Sequence, residues 1–205
     1  MKFYKIMNND ETHHGIKYKT GLNVDPVPFN PSGDCEKGGI YFAGEDILAF
    51  LDYGIWIREV VVPENAQVYE NPGTPKKWKA DQVILKKRKK ITLKVIEELI
   101  AEGADPKADS SRALRWAAEN GHTECVKLLI PVSDPKAGNS YALRKAAENG
   151  HTECVRLLIP VSDPKADNSY ALRWAARNGH TECVKLLIPV SDPEIVKKIK
   201  LKRQR

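Results

Sequence analysis

Three cysteines and three histidines recur in fixed order along the chain: His122 and Cys125, His151 and Cys154, His180 and Cys183. Thiolate and imidazole are the usual ligands of zinc and other borderline metals, so the set invites a metal-site reading, and the cysteines alone would invite disulfides. A second candidate is the basic run Lys86-Lys87-Arg88-Lys89-Lys90, a composition that suits nuclear import or nucleic-acid binding. No glycine-aromatic nucleic-acid signature accompanies that run, and no phosphate-cradling glycine loop is present anywhere in the sequence. Each possibility depends on where the surrounding elements put these side chains.

The ladder of His and Cys belongs to a repeat. From Asp105 the chain reads DPKADSSRALRWAAENGHTECVKLLIPVS, and the phrase returns from Asp134 and from Asp163 at a step of 29 residues. The third copy differs from the first at three positions, a half-unit from Ile91 to Ala104 precedes the set, and a fragment follows from Asp192. Self-similarity at this period is the signature of a solenoid. Within a unit, Ala142, Leu143, Ala146 and Ala147 fall on one helical face, with Ser140 as the expected N-cap and Asn149-Gly150 as the stop. Thr152-Glu153 opens a second helix whose apolar set is Cys154, Val155, Leu157, Leu158 and Ile159, and Pro160 ends it. One such pair cannot bury its apolar face alone; stacking does so. Residues one period apart then lie in successive units, about 10 Å apart. That separation is too wide for a shared zinc ion or for a disulfide. The cysteines read as small hydrophobic residues instead. The remaining thiol, Cys35, is expected to be unpaired.

The phrase Tyr170-Ala171-Leu172-Arg173, Ala175-Ala176, Gly179-His180 and Glu182-Cys183-Val184-Lys185-Leu186-Leu187 resembles the ankyrin repeat over residues 92–192. The half-unit carries the Gly103-Ala104-Asp105 that normally follows the second helix. The resemblance implies an all-α solenoid, a structural histidine bonded to backbone at the inter-helix turn, and protein binding on the concave side. Two departures stand out. The units are four residues shorter than the usual length of about 33, and the Thr-Pro that starts the first helix is missing. Both imply shortened hairpin fingers.

The copies differ at Asp109/Gly138/Asp167, Ser110/Asn139/Asn168, Arg112/Tyr141/Tyr170, Trp116/Lys145/Trp174, Glu119/Glu148/Arg177 and Lys127/Arg156/Lys185. In the ankyrin arrangement all but the last set lie on the turn and the first helix. Arg112, Trp116, Glu119, Tyr141, Lys145, Glu148, Tyr170, Trp174 and Arg177 are therefore the expected protein-binding residues. Trp, Tyr and Arg are the types that most often dominate interface energy.

Residues 1–90 lack the repeat and read as mixed α/β. Strands are expected at 2–7, 15–20, 39–43, 55–62 and 82–87, a helix at 44–53 and a proline-rich loop at 24–37. The stretches Gly38–Ala43, Trp56–Pro63 and Pro75–Asp81 resemble the leader domain that precedes short ankyrin repeats in proteins of large DNA viruses of amoebae. A looser similarity, running from His13-His14-Gly15 through a Gly-Ile-Tyr-Phe strand to a strand with Glu59, is to ADP-ribosyltransferase-like folds. It would make His14 and Tyr41 holders of nicotinamide-adenine dinucleotide and Glu59 the stabiliser of the transition state.

Apolar residues make up 41% and charged residues 29% of the 205, proportions of an ordinary globular chain. The net charge of +6 comes from two runs, 76–95 and 195–205; the rest is acidic. No apolar run reaches membrane-spanning length, and the start has no secretory apolar stretch. The expectation is an α+β chain: a leader domain over 1–90, a half-cap and three ankyrin units over 91–192, and a basic helix or tail over 193–205. Its expected role is that of a monomeric, non-enzymatic adaptor in a host cytosol, with nuclear entry through 86–90 as a variant. It would bind a protein partner, not nucleic acid or membrane, and carry no metal or other cofactor.

Overall fold

A computed structural model describes residues 2–32 and 36–202; Cys35 and the end of the basic tail lie outside them. The chain is strand-rich in its N-terminal part and helical thereafter, an α+β architecture. It folds as two compact units, residues 1–109 and 110–205. The first helix of the repeat region therefore belongs to the strand-rich unit rather than to that of the later repeats.

In the first unit the strands are β1 (Phe3–Met7), β2 (Thr12–His13), β3 (Ile16–Lys17), β4 (Gly21–Val24) and β5 (Ile40–Phe42). After a 3₁₀ segment, Glu45–Tyr53, come β6 (Trp56–Val61), β7 (Val68–Asn71), β8 (Lys77–Ala80), β9 (Gln82–Leu85) and β10 (Lys89–Lys90). The largest sheet runs β1-β6-β9-β4 with β10 also on β6; a second runs β5-β8-β7, and β2-β3 is a hairpin. All the pairs are antiparallel. Met7, Tyr18, Ile40, Phe42, Val60, Val83 and Leu85 fill the space between the sheets. Helix α1 (Leu93–Ala101) starts at Thr92, whose hydroxyl accepts from the Val95 amide, and its Ile96 and Leu99 are buried. It is held by Lys2 and Tyr4 on Glu102 and by the Asp105 amide on the Glu45 carbonyl.

Several expected elements differ here. The segment after Gly44 is a 3₁₀ helix, not an α-helix, and Phe50 is less buried than Ile47, Leu48 and Leu51. The strand expected at 15–20 is only Ile16–Lys17, because it forms a two-residue hairpin with Thr12–His13. The turn residues His14 and Gly15 have φ of 51° and 86°, the left-handed pair that such hairpins need. Strands β2, β4, β7, β8 and β10 fall outside the expected strands. In β8, Lys79 is fully buried. Its ammonium donates to the Ser32 carbonyl at 2.6 Å and lies 5.4 Å from the Tyr41 ring and 5.9 Å from the Tyr69 ring. One member of the basic stretch 76–95 is thus part of the core.

The second unit pairs helices. They are α2 (Ala108–Glu119, begun in the first unit), α3 (Thr123–Leu129), α4 (Ala137–Glu148), α5 (Thr152–Leu158), α6 (Ala166–Arg177), α7 (Thr181–Leu187) and α8 (Pro193–Lys202). Short 3₁₀ turns at Ile159–Val161 and Ile188–Val190 follow α5 and α7. First helices pack on first helices (α4 on α6, α6 on α8), second helices on second helices (α3 on α5, α5 on α7). The core is Leu114, Leu143 and Leu172 from the first helices with Leu129, Leu158 and Leu187 from the second, all with no measurable exposure. The alanines beside the first set, all but Ala176, are buried too, which lets neighbouring backbones approach.

Candidate functional site

The start of each first helix sets the site. Asp109-Ser110-Ser111, Gly138-Asn139-Ser140 and Asp167-Asn168-Ser169 all have φ between 48° and 58°, a run of three left-handed residues per unit. Such a turn disfavours side chains with a Cβ, least so Asn and Asp. That constraint explains the Asp/Gly and Ser/Asn exchanges between copies. The third position is Ser in every copy for another reason. Contrary to the expectation from sequence, Ser140 does not cap its own helix; its hydroxyl accepts from the Asp163 amide of the next unit at 2.8 Å. Ser111 and Ser169 do the same for Asp134 and Asp192. Its left-handed φ turns the hydroxyl away from the amides an N-cap would serve.

The histidines form the second tie. Nε2–H of His151 donates to the Glu119 carbonyl at 2.9 Å, and His180 does the same to Glu148. Each ring lies against the turn glycine of the previous unit. A Cβ on Gly121 would stand 2.6 Å from His151 Nδ1. Cys154 and Cys183 are buried, each sharing a hydrogen bond with the threonine of the preceding unit, Thr123 or Thr152. Burial pushes both thiols up, away from the reactive thiolate. Among the described residues no group of three His, Cys, Asp or Glu is placed to hold a metal ion.

With the units tied at these points, the other face of α2, α4 and α6 carries a ladder of cations and rings. The Arg115 guanidinium lies 5.4 Å from the Tyr141 ring, and Arg144 lies 5.5 Å from Tyr141 and 4.8 Å from Tyr170, joining two units. Tyr170 stacks on Trp174 at 5.5 Å, and Arg177 covers Trp174 at 4.6 Å. Lys145 pairs with Glu148 at 3.0 Å, and that hydrogen bond raises its pKa. Arg144 also reaches Asp167 at 2.8 Å. Of the nine expected residues, Tyr141, Lys145, Glu148, Tyr170, Trp174 and Arg177 thus join one network. Trp116 instead tilts against His122 at 4.8 Å. Neither Trp116 nor Trp174 is fully exposed. Arg112 and Glu119 share the helix of Trp116 and are half-buried. Arg115, Arg144 and Arg173 are missed by a comparison of the copies because they are identical in every one. Their signal was position: they stand beside the variable Trp116/Lys145/Trp174 column, off the alanine face.

In the N-terminal unit a pocket of about 280 Å³ opens between β1, β5, the 3₁₀ segment and the β2–β3 hairpin. Tyr41 and His13 line it, their rings 6.4 Å apart and nearly perpendicular. His14, adjacent to His13, does not line it, and neither does Glu59, which stands on β6 opposite Tyr4 of β1. The structure therefore brings Tyr41 together with His13 rather than with His14 and Glu59. Burial, with Lys5 and His14 nearby, pushes the His13 imidazole down to about 4. The basic run 86–90 is exposed. Arg88 pairs with Glu11 at 2.9 Å and lies 4.2 Å from the Trp56 ring, while Lys89 faces Glu98 at 3.5 Å. No helix is long and apolar enough to cross a membrane among the described residues.

Comparison with known proteins agrees with this geometry. A family model described as ankyrin repeats matches residues 87–168 and 132–199. A protein of Acanthamoeba polyphaga mimivirus named for its ankyrin repeats, R229, is 37% identical over 56% of this chain and 40% of its own length. A second so named, R868, is 33% identical over 62% of this chain and 66% of its own length. An uncharacterized mimivirus protein, R869, is 34% identical over 62% of this chain and 96% of its own length. The chain thus spans about two fifths of the first relative and nearly all of the third. Stacked helix pairs, a repeating Gly-His turn and the matched span place this chain in the ankyrin repeat family.

Proposed function

We propose that the chain is a non-enzymatic adaptor that binds a protein partner through the ladder face of α2, α4 and α6. Ankyrin repeats are protein-interaction modules, and the viral relatives support a partner from an amoebal host or from the virus itself, met in the host cytosol. The observation that carries the reading is the cation–ring alternation on a single face, spanning two units through Arg144. Arg, Tyr and Trp in such a setting supply large, stiff contact area with little side-chain entropy left to lose. The face also offers guanidiniums to acidic groups, so a partner presenting carboxylates beside flat side chains fits it best.

The test is capture from amoebal lysate with the full chain and with Trp116→Ala/Trp174→Ala. Neither ring is among the buried core residues, so the double variant is expected to fold and to lose the captured protein. A variant that folds and captures the same proteins in the same amounts contradicts the reading. The basic run 86–90 is assigned a solvated structural role, since Arg88 and Lys89 are engaged by Glu11 and Glu98.

A further inference from the structure

The pocket of the N-terminal unit plays no part in the ladder face. Its volume of about 280 Å³ lies just under the range of about 300–1,000 Å³ that small-ligand sites occupy. Apolar and aromatic side chains make most of its wall. Phe42 comes from β5, and Ile47, Phe50 and Tyr53 come from the 3₁₀ segment. Phe50 and Tyr53 meet edge to face at 5.8 Å. Rings at such an angle receive a flat guest by offset and edge contacts.

The stronger polar groups of the lining are already engaged. The Tyr4 hydroxyl donates to Glu102, and that of Tyr41 donates to the Glu36 carbonyl at 3.2 Å. The Lys5 ammonium donates to the Tyr41 carbonyl at 2.8 Å, and Lys77 lies 5.5 Å from the Tyr41 ring. Both lysines and Tyr53 have further interactions within the protein. Burial, with Lys5 and His14, keeps the His13 imidazole neutral at ordinary pH. Spare hydrogen-bonding capacity is left at one edge, where Asn8, Thr12 and His13 line the pocket. The Thr12 amide donates to Asn8 Oδ1 at 3.0 Å, which sets the Asn8 side chain beside the β2–β3 hairpin. Asn8 Nδ2, the Thr12 hydroxyl and the His13 ring make no hydrogen bond among the described residues.

A neutral imidazole supplies one donor and one acceptor nitrogen, a carboxamide nitrogen supplies donors, and a hydroxyl supplies either. Such an edge suits one group that both gives and takes a hydrogen bond, carried on a ring that is apolar elsewhere. A nucleobase is polar around its perimeter and would leave groups unpaired against Ile47 and Phe50. A charged ring would give up its hydration to an apolar wall whose lysines are engaged elsewhere. We propose that this pocket binds an uncharged phenol, its ring against Phe50 and Tyr53 and its hydroxyl at the edge formed by Asn8, Thr12 and His13. Two sources share this chemistry, a free small phenol and a tyrosine side chain.

The test is titration of the full chain at pH 7 with p-cresol, whose hydroxyl is un-ionised there, followed by calorimetry and by the His13 ring resonances in NMR. Three ligands of similar shape are compared with it: toluene without the hydroxyl, 4-methylbenzoate as the anion and 4-methylbenzylamine as the cation. Saturable p-cresol binding that shifts His13 is expected, with each of the other three weaker by about tenfold. His13→Phe keeps a ring but removes the hydrogen-bonding nitrogens, so it should bring p-cresol down to the affinity of toluene. Phe50→Ala should instead weaken p-cresol and toluene together. The ligand series on the unaltered chain decides the matter if either variant fails to fold. N-acetyltyrosinamide binding as tightly as p-cresol or more tightly would assign the source to a protein; weaker binding would assign it to a free small phenol. Absence of saturable p-cresol binding at millimolar concentration overturns the proposal. So does toluene, the anion or the cation binding as tightly as p-cresol, or a folded His13→Phe variant that keeps the preference for p-cresol over toluene.

Discussion

His13 and Glu11 make the N-terminal unit sensitive to acid, and both act in the same direction. His13 is held at about 4, against an ordinary value near 6.5, by burial and by Lys5 and His14. The folded chain keeps it neutral where the unfolded chain takes up a proton. Its contribution is full above about pH 6.5 and is lost as pH falls toward 4. Burial works against the Glu11 charge, but Arg58 at 2.8 Å and Arg88 at 2.9 Å outweigh it and hold the carboxyl below its usual range. Its stabilisation is present above the ordinary carboxylate value and disappears as pH falls through the lowered one. Hydrogen exchange at β1 and β6 should therefore accelerate below pH 6.5 beyond its intrinsic trend, and His13→Gln should flatten the upper part of that response. Glu11→Gln leaves Arg58 buried without its carboxylate and should destabilise the unit by about 3 kcal/mol, read from denaturant unfolding. In the repeats, burial raises all three thiols, and peptide mapping after brief alkylation should find Cys125, which is less buried than Cys154 and Cys183, modified first of the three.

At the scale of elements, the helices of the repeat were legible and the strands before them only in part. A face of Ala142, Leu143, Ala146 and Ala147 at helical spacing has one place to go, and all four are buried. Repetition reinforced that reading three times over. The left-handed turn was not legible, because Asp-Asn-Ser reads equally well as a cap; which amide the serine hydroxyl meets depends on the next unit. Strands β7 and β8, Val-Tyr-Glu-Asn and Lys-Trp-Lys-Ala, escaped because their polar residues mask the alternation. Lys79 can sit in the core only because Ser32 and two tyrosine rings, distant in sequence, receive its ammonium. In the candidate site, comparing copies found Tyr141, Lys145, Tyr170 and Trp174 but passed over the constant Arg144 that links them. Two substitutions test the inter-unit ties. Leu143→Ala, fully buried in the central unit, should cost about 2–5 kcal/mol, and an unchanged melting temperature would contradict the packing described. Gly121→Ala should destabilise by more than about 1 kcal/mol, since the methyl meets both a φ of 70° and the His151 ring.

For the whole molecule, the proposed function gives the repeats a binding surface on the ladder face of α2, α4 and α6. The resemblance to ankyrin repeats, carried by Gly179-His180 and the Glu182–Leu187 phrase, points to that surface. It did not point to the cavity of the N-terminal unit, because Lys5, His13, Tyr41, Phe50 and Lys77 come from five separate stretches of sequence. Spacing along the chain does not reveal a cavity assembled that way. The central claim is that the cation–ring ladder is the surface a partner meets. Its most direct test is a photo-crosslinking residue placed at Trp174, on that ladder, or at Arg156, exposed on the second helix of the central unit, each in full-length protein mixed with amoebal lysate. A discrete protein adduct from position 174 and none from 156 is the predicted result; adducts of equal yield from both, or from 156 alone, would contradict the claim.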